Sequence, residues 1–185
     1  MQSPQIRAAT PADVPALVGL IGELADFEHL RDRVEITPER LYTHLFGTQP
    51  AAQCVVVQPT AEAADRADAE AAPPVGFALY FTNFSTFLGK PGLYLEDLYV
   101  QPAWRGQGVG RALLIHLAQL AVARGCGRFE WCVLDWNAGA IGFYERMGAQ
   151  VLPDWRICRV TGPALETMAA LAAPAAPAAQ AHSRT

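Results

Sequence analysis

The stretch WRGQGVGRALL, from Trp104 to Leu114, sets three glycines at alternate positions directly ahead of an apolar helical run. Glycines at a loop-to-helix junction let main-chain N–H groups approach a ligand that side chains would hold away. The first turn of a helix also carries unpaired donors and partial positive charge. The junction therefore calls for a phosphate-sized anion. Two familiar phosphate loops fail on spacing. Gly106, Gly108 and Gly110 read G-x-G-x-G, and the place of the third glycine in a dinucleotide fingerprint is taken by Arg111. The Gly89-Lys90 pair is followed by Pro91, so it is no Walker loop either.

Periodicity and punctuation order the elements around this junction. A short strand near Gln5 to Ala9 precedes TPADVPALVGLIGELADF, where Thr10 caps, Pro11 takes the first helical position, and Val14, Leu17, Val18, Ile21 and Leu24 share a face. Thr37-Pro38 starts a shorter helix with Leu41 and Leu45, ended by Gly47. Cys54 to Val57 and Val75 to Phe81 read as strands, joined by an Ala, Asp and Glu stretch that is either a solvated hairpin connection or partly helical. In LYLEDLYV, Leu93 and Leu95 share one parity whereas Leu98 and Val100 share the other. Either a β-bulge near Glu96-Asp97 restores both pairs to one face, or the strand is buried on both faces. A helix follows the glycine loop, with Val109, Leu113, Leu114, Leu117 and Leu120 on its apolar side, and stops at Gly125. Arg128 to Leu134 reads as a strand, Asn137 caps a short helix bearing Ile141, Tyr144 and Met147, and a last strand is expected near Trp155 to Val160. The order β-α-α-β-β-β-α-β-α-β describes a mixed α/β sheet with antiparallel hairpins first and crossovers later.

Composition narrows the function classes. At 185 residues, 51% of them hydrophobic, the chain supports one core. The reading is a single domain over 1–162 and an Ala/Pro-rich, low-complexity tail over 163–185 whose start can form a helix through Leu171 and which is otherwise expected to be largely disordered. A net charge of -4 with scattered Lys and Arg argues against nucleic acid as partner. No apolar signal core opens the chain, and no run reaches the ~18 apolar residues of a membrane span. A cytoplasmic protein is expected. Cys54, Cys126, Cys132 and Cys158 form no C-x-x-C pair and lie in apolar contexts, so buried free thiols are the expectation, against a structural disulfide or metal.

The segments ELADFEHL, GFALYFTNFSTFLGK, LYLEDLYVQPAWRGQGVG, LDWN and FYERMGA resemble the GNAT superfamily of N-acetyltransferases, and within it the diamine (spermidine/spermine) and thialysine N-acetyltransferases. Arg105, Gly108 and Gly110 match the superfamily signature, and the likeness spans roughly residues 5 to 160. Departures are a lengthened connection around Ala61 to Ala72, an extra residue near Pro91-Gly92, and the tail. The resemblance implies a GNAT-like, partly antiparallel sheet flanked by helices, with a bulged and splayed cofactor strand. It implies acetyl-CoA as cosubstrate, no metal, and a homodimer. The pyrophosphate would rest on Arg105 and the backbone of Gly106, Gln107, Gly108, Val109 and Gly110. Leu98, Tyr99 and Val100 would lend backbone to the pantetheine arm. Asn137 would touch the coenzyme or act as a plain cap, and Arg105 would meet phosphate or solvent.

Acetylating an amine requires removal of a proton, because an alkylammonium of pKa ~10.4 is neutral in only roughly one molecule per few thousand at pH 7. The resemblance makes Glu96 the base and Tyr144 the acid that serves the departing thiolate, next to the coenzyme. Against these roles stand a salt-bridged surface carboxylate for Glu96 and core packing beside Ile141 and Met147 for Tyr144. A backbone amide near Leu98 would polarise the thioester carbonyl. Glu28, Glu96 and Asp97 match positions where relatives place acids around a diamine, with Phe27 as an apolar wall; the plain alternative for Phe27-Glu28 is the end of an amphipathic helix. The function so implied is transfer of acetyl from acetyl-CoA to a primary amine of a small diamine, polyamine or thialysine-like acceptor. The competing readings are a GNAT enzyme for a protein lysine, an N-terminus or an aminoglycoside-like amine, and a non-catalytic CoA-binding sensor.

Overall fold

A computed structural model describes residues 5–59 and 72–171. The Ala, Asp and Glu connection expected between the strands at Cys54 to Val57 and Val75 to Phe81 lies mostly, and the Ala/Pro tail beyond Leu171 wholly, outside them. The described residues fall into two compact units, one running to Phe143 and the other starting at Tyr144. In the first, strand β1 (Gln5–Ala8) leads through a 3-10 turn (Pro11–Asp13) into helix α1 (Val14–Phe27). Helix α2 (Pro38–Phe46), strands β2 (Gln53–Gln58), β3 (Gly76–Ser85) and β4 (Lys90–Val100), helix α3 (Val109–Ala123) and strand β5 (Arg128–Trp131) follow. Helix α4 (Ala138–Arg146) contains the boundary, and helix α5 (Pro163–Ala169) belongs to the second unit.

The five strands lie side by side in chain order. The first four pair antiparallel, and β5 joins β4 in parallel after the α3 crossover. Val14, Leu17 and Leu20 of α1 and Leu41 and Leu45 of α2 pack with Cys54, Val56, Phe77 and Tyr99 in one cluster. Phe77 is fully buried there, which stabilises the fold by roughly 1.5–3 kcal/mol. Helix α3 contacts β3, β4 and β5, with Leu113 and Leu117 fully buried.

The entry to α1 is pinned by a charged knot. Asp13, 6% exposed, receives both terminal nitrogens of Arg7 at 2.7 and 2.8 Å, and the Thr10 backbone N–H and hydroxyl at 2.7 and 2.8 Å. Arg7 also reaches Gln58 of β2. The hydrogen bonds from Arg7 hold the Asp13 carboxyl below the usual range against the opposing effect of burial, helped by those from Thr10.

Strand β4 carries the bulge. Asp97 pairs with Leu79 and Leu95 with Tyr80, so Glu96 has no opposite number on β3. Leu93, Leu95, Leu98 and Val100 consequently oppose Thr82, Tyr80, Ala78 and Gly76, alternate residues sharing one face of β3. Asp97 and Tyr99 take the other face, opposite Leu79 and Phe77.

Two strands differ from expectation. Strand β5 stops at Trp131, short of Leu134, because its ladder with β4 covers only Gly92 to Leu95 and ends where the bulge turns β4 away. Trp155 to Val160 form no strand: Trp155 and Ile157 alternate as a strand would, yet they are exposed and have no ladder partner among the described residues. An alternating pattern supplies side chains for a sheet face, whereas a strand exists only when a neighbour takes its backbone groups.

Candidate active site

The site grows out of the split between β4 and β5. The Gln101 N–H bonds to Val75 on the β3 side, so alternation turns the backbone N–H and C=O of Leu98 and Val100 toward the opposite edge. That edge has no ladder partner beyond Leu95 among the described residues. A stretch of sheet backbone therefore stands open inside the sheet.

The glycine loop lies at the end of this open stretch. After a 3-10 turn (Pro102–Trp104), Gly106 and Gly108 adopt φ of +74° and +82°, a left-handed conformation that only glycine takes without strain. Among the described residues no atom beyond the adjoining chain lies within 4 Å of where a side chain would begin at either position, so the space before the loop is clear of them. Gly108 caps α3 and its carbonyl receives Ala112 N–H at 2.9 Å. Val109 is buried and anchors the first turn, Gly110 faces Leu98 and Phe143, and Gln107 turns its side chain back onto the Ala103 carbonyl.

Arg105 does more than precede the loop. Its Nε donates to the Val100 carbonyl at 2.8 Å, and its guanidinium lies 5.3 Å from the Phe27 ring centre and 5.4 Å from that of Tyr99. Tyr99 in turn donates its hydroxyl to Glu23 at 3.1 Å, and Gln101 donates its side-chain amide to the same carboxylate at 3.0 Å. Asn137 caps α4 through its side-chain oxygen, which accepts Ala140 N–H at 3.1 Å.

Carboxylates gather at the bulge. Asp97 is half-buried, and its pKa is pushed up to about 6, first by burial and then by the like charges of Glu96 and Glu28. Burial raises Glu28 as well. Glu96 is exposed at the bulge itself. Two acids that repel a third between them make a surface suited to a cation.

An aromatic wall stands beside them at the end of α1. Phe27 and Trp136 lie 5.9 Å apart, and His29 lies 6.1 Å from Trp136. His29 holds φ of +59° while Leu30 N–H reaches back to the Ala25 carbonyl at 2.8 Å, the pattern of a helix end that usually uses glycine.

Tyr144 belongs to the second unit. Its carbonyl accepts N–H groups from Met147 and Ala149, closing the end of α4 around Gly148. The first unit thus brings together Phe27, Glu28, Glu96, Asp97, Leu98, Tyr99, Val100, Arg105 and the loop. Sequence reasoning missed Glu23, Gln101, His29 and Trp136. Trp136 sits inside the LDWN match, whereas Glu23 reads as an ordinary polar residue of α1.

Comparison with known proteins decides the class. Residues 24–149 match the Acetyltransferase (GNAT) family. The chain belongs to this family. As a GNAT protein it is an acetyltransferase, and the relatives it resembles carry narrower names of their own. It is 37% identical to the L-ornithine N5-acetyltransferase NATA1 of Arabidopsis thaliana, over 90% of this chain and 88% of that one. It is 36% identical to the thialysine N-epsilon-acetyltransferase of Mus musculus, over 91% and 99%. An integron cassette protein from the mobile metagenome of V. cholerae shares the fold with a TM-score of 0.72 at 24% identity, over 92% of this GNAT chain and 99% of its own. Among the described residues no helix is long and apolar enough to cross a membrane.

Proposed function

We propose that this enzyme transfers the acetyl group of acetyl-CoA to the primary amine of a small diamine, polyamine or thialysine-like acceptor. The observation that carries this reading is the cluster of Glu28, Glu96 and Asp97 at the bulge of a strand whose next residues, Leu98 and Val100, have an open backbone edge. Acetyl-CoA suits the residues present. Leu98 offers its N–H and C=O and Val100 its N–H to a slender amide-bearing arm, while the Val100 carbonyl is held by Arg105, and the clear space before Gly106 and Gly108 at the α3 N-terminus suits a pyrophosphate.

Within this reading each residue has a task. Glu28 and Asp97 attract the distal ammonium of the acceptor, and Phe27 lines its carbon chain. Glu96 takes the proton that the reacting ammonium must lose, directly or through water, so that nitrogen attacks the thioester carbonyl. The N–H of Leu98 polarises that carbonyl. As the new C–N bond forms and the C–S bond breaks, Tyr144 supplies a proton to the sulfur. The role of Tyr144 rests on the FYERMGA resemblance. Thialysine and ornithine, named for the relatives, each combine a reacting amine with a second ammonium, the pattern the acids suit.

A panel of acceptors tests the reading. kcat/KM is compared for thialysine, ornithine, lysine, putrescine, spermidine and a neutral alkylamine of matched length, in the parent and in Glu28→Gln. The acceptors with a second ammonium group are expected to lead by roughly tenfold or more, and to lose most of that lead in Glu28→Gln and at high salt. Equal efficiency for the neutral amine refutes the acidic pocket.

A further inference from the structure

Strand β4 faces a mechanical problem after the bulge. From Glu96 to Val100 it has left β5, so β3 alone holds it by backbone pairing among the described residues. An open strand edge can present its N–H and C=O groups accurately only if something else fixes its tilt. Glu23 is placed to do this. It lies on α1 one turn ahead of Phe27, and its two oxygens are shared between two donors at the end of the strand. Oε2 accepts the Tyr99 hydroxyl at 3.1 Å and Oε1 accepts the Gln101 amide at 3.0 Å. Tyr99 is the buried residue between the two edge-facing positions Leu98 and Val100. Arg105 packs over the same Tyr99 ring and bonds to Val100, so the end of the strand is held on several sides.

We propose that Glu23 is a positioning residue for coenzyme binding, acting through Tyr99 and Gln101 to aim the open edge of β4. The inference rests on the reading that this edge receives the coenzyme. A carboxylate accepts from both partners at once and so fixes both as donors. A glutamine of the same shape keeps one acceptor and turns its NH₂ to the other partner, which must then reorient and accept through its own oxygen, so the arrangement at the strand end changes. The raised pKa of the Tyr99 hydroxyl, caused by burial and by its hydrogen bond to Glu23, keeps it a donor.

Glu23→Gln, Tyr99→Phe, Gln101→Leu and the triple variant are compared with the parent. Coenzyme A is titrated by calorimetry, both KM values and kcat are measured, and thermal melts follow the fold. The expected result for Glu23→Gln is a roughly five- to thirty-fold weaker coenzyme affinity and higher KM for acetyl-CoA, with kcat and the acceptor KM within about twofold. Adding Glu23→Gln to Tyr99→Phe and Gln101→Leu is expected to cause no further loss. Undiminished coenzyme affinity in Glu23→Gln overturns the inference while leaving the proposed function standing. So does a full additional loss in the triple variant, or an equal rise in both KM values with a lowered melting temperature. Should Glu23→Gln fail to fold, an unchanged KM for acetyl-CoA in Tyr99→Phe and Gln101→Leu together overturns it. Failure of the parent to bind coenzyme A overturns the proposed function, and this inference with it.

Discussion

Replacing Asp97 with asparagine is expected to stabilise the protein above neutral pH and to do little in acid. In the fold the Asp97 carboxyl sits at about 6, against an ordinary 3.8. A raised acid pKa means that the native state holds its proton more tightly than the unfolded chain does. Asp97 therefore costs nothing below its unfolded value, an increasing amount between 3.8 and about 6, and a constant amount above that. A gap of about two pH units at 1.36 kcal/mol each sets a ceiling of roughly 3 kcal/mol. The high effective polarizability around even a buried charge brings the expected gain to about 1–3 kcal/mol. For a chain of this size that is roughly 2–10 °C in Tm. Urea unfolding of parent and Asp97→Asn at pH 4 and pH 8 measures it, with m-values compared to confirm that only stability has moved. A dicationic acceptor at saturating concentration should stabilise the parent more than the variant. The reasoning is refuted if Asp97→Asn is no more stable than the parent at pH 8, or if it gains equally at both pH values.

Gly108→Asp should weaken coenzyme A binding by roughly 100-fold or more, because it places a side chain at a left-handed position and a negative charge beside a bound pyrophosphate; unchanged affinity by calorimetry in a folded variant removes the loop from the site. Asp13→Asn should destabilise the protein by about 2–4 kcal/mol at pH 7 by breaking the fork with Arg7. Since the Asp13 carboxyl is held low in the fold, its contribution is present above the ordinary carboxylate range and lost as pH falls through its folded value. The difference between parent and variant should therefore shrink at pH 3, and an equal difference at both pH values contradicts the assignment. Tyr144→Phe should lower turnover by roughly 10- to 10⁴-fold with coenzyme affinity nearly intact, and near-parental turnover returns this residue to packing.

The bulge was legible because one count betrayed it. Four apolar residues in a single strand fell on two parities, and only an extra residue brings Leu93 and Leu95 into phase with Leu98 and Val100. The glycine junction was equally readable, since its left-handed turns and helix start are local properties of the chain. What escaped was set between distant segments. Where β5 ends depends on how long β4 stays beside it, which no window around Trp131 records. The same holds for Trp155 to Val160, whose alternation is genuine and whose missing ladder is not a property of those residues. Glu23 meets Tyr99 across 76 positions, and on a helix wheel a glutamate that ties down a strand looks like one that meets water. The expectation for Arg105 is phosphate or solvent; its Nε bond to Val100 and its packing over two rings are contacts that no local pattern records.

The end of α1 has a further consequence. Glycine is the lowest-energy backbone choice at position 29, and an L-residue in that conformation forgoes about 1 kcal/mol. The chain carries histidine there instead, and its ring lies against Trp136. Helix termination and side-chain identity pull in opposite directions at this one residue. A substitution that relaxed the turn would also remove a ring from the wall beside the acids, so thermal tolerance and the contour of that wall are set against each other at the last step of α1.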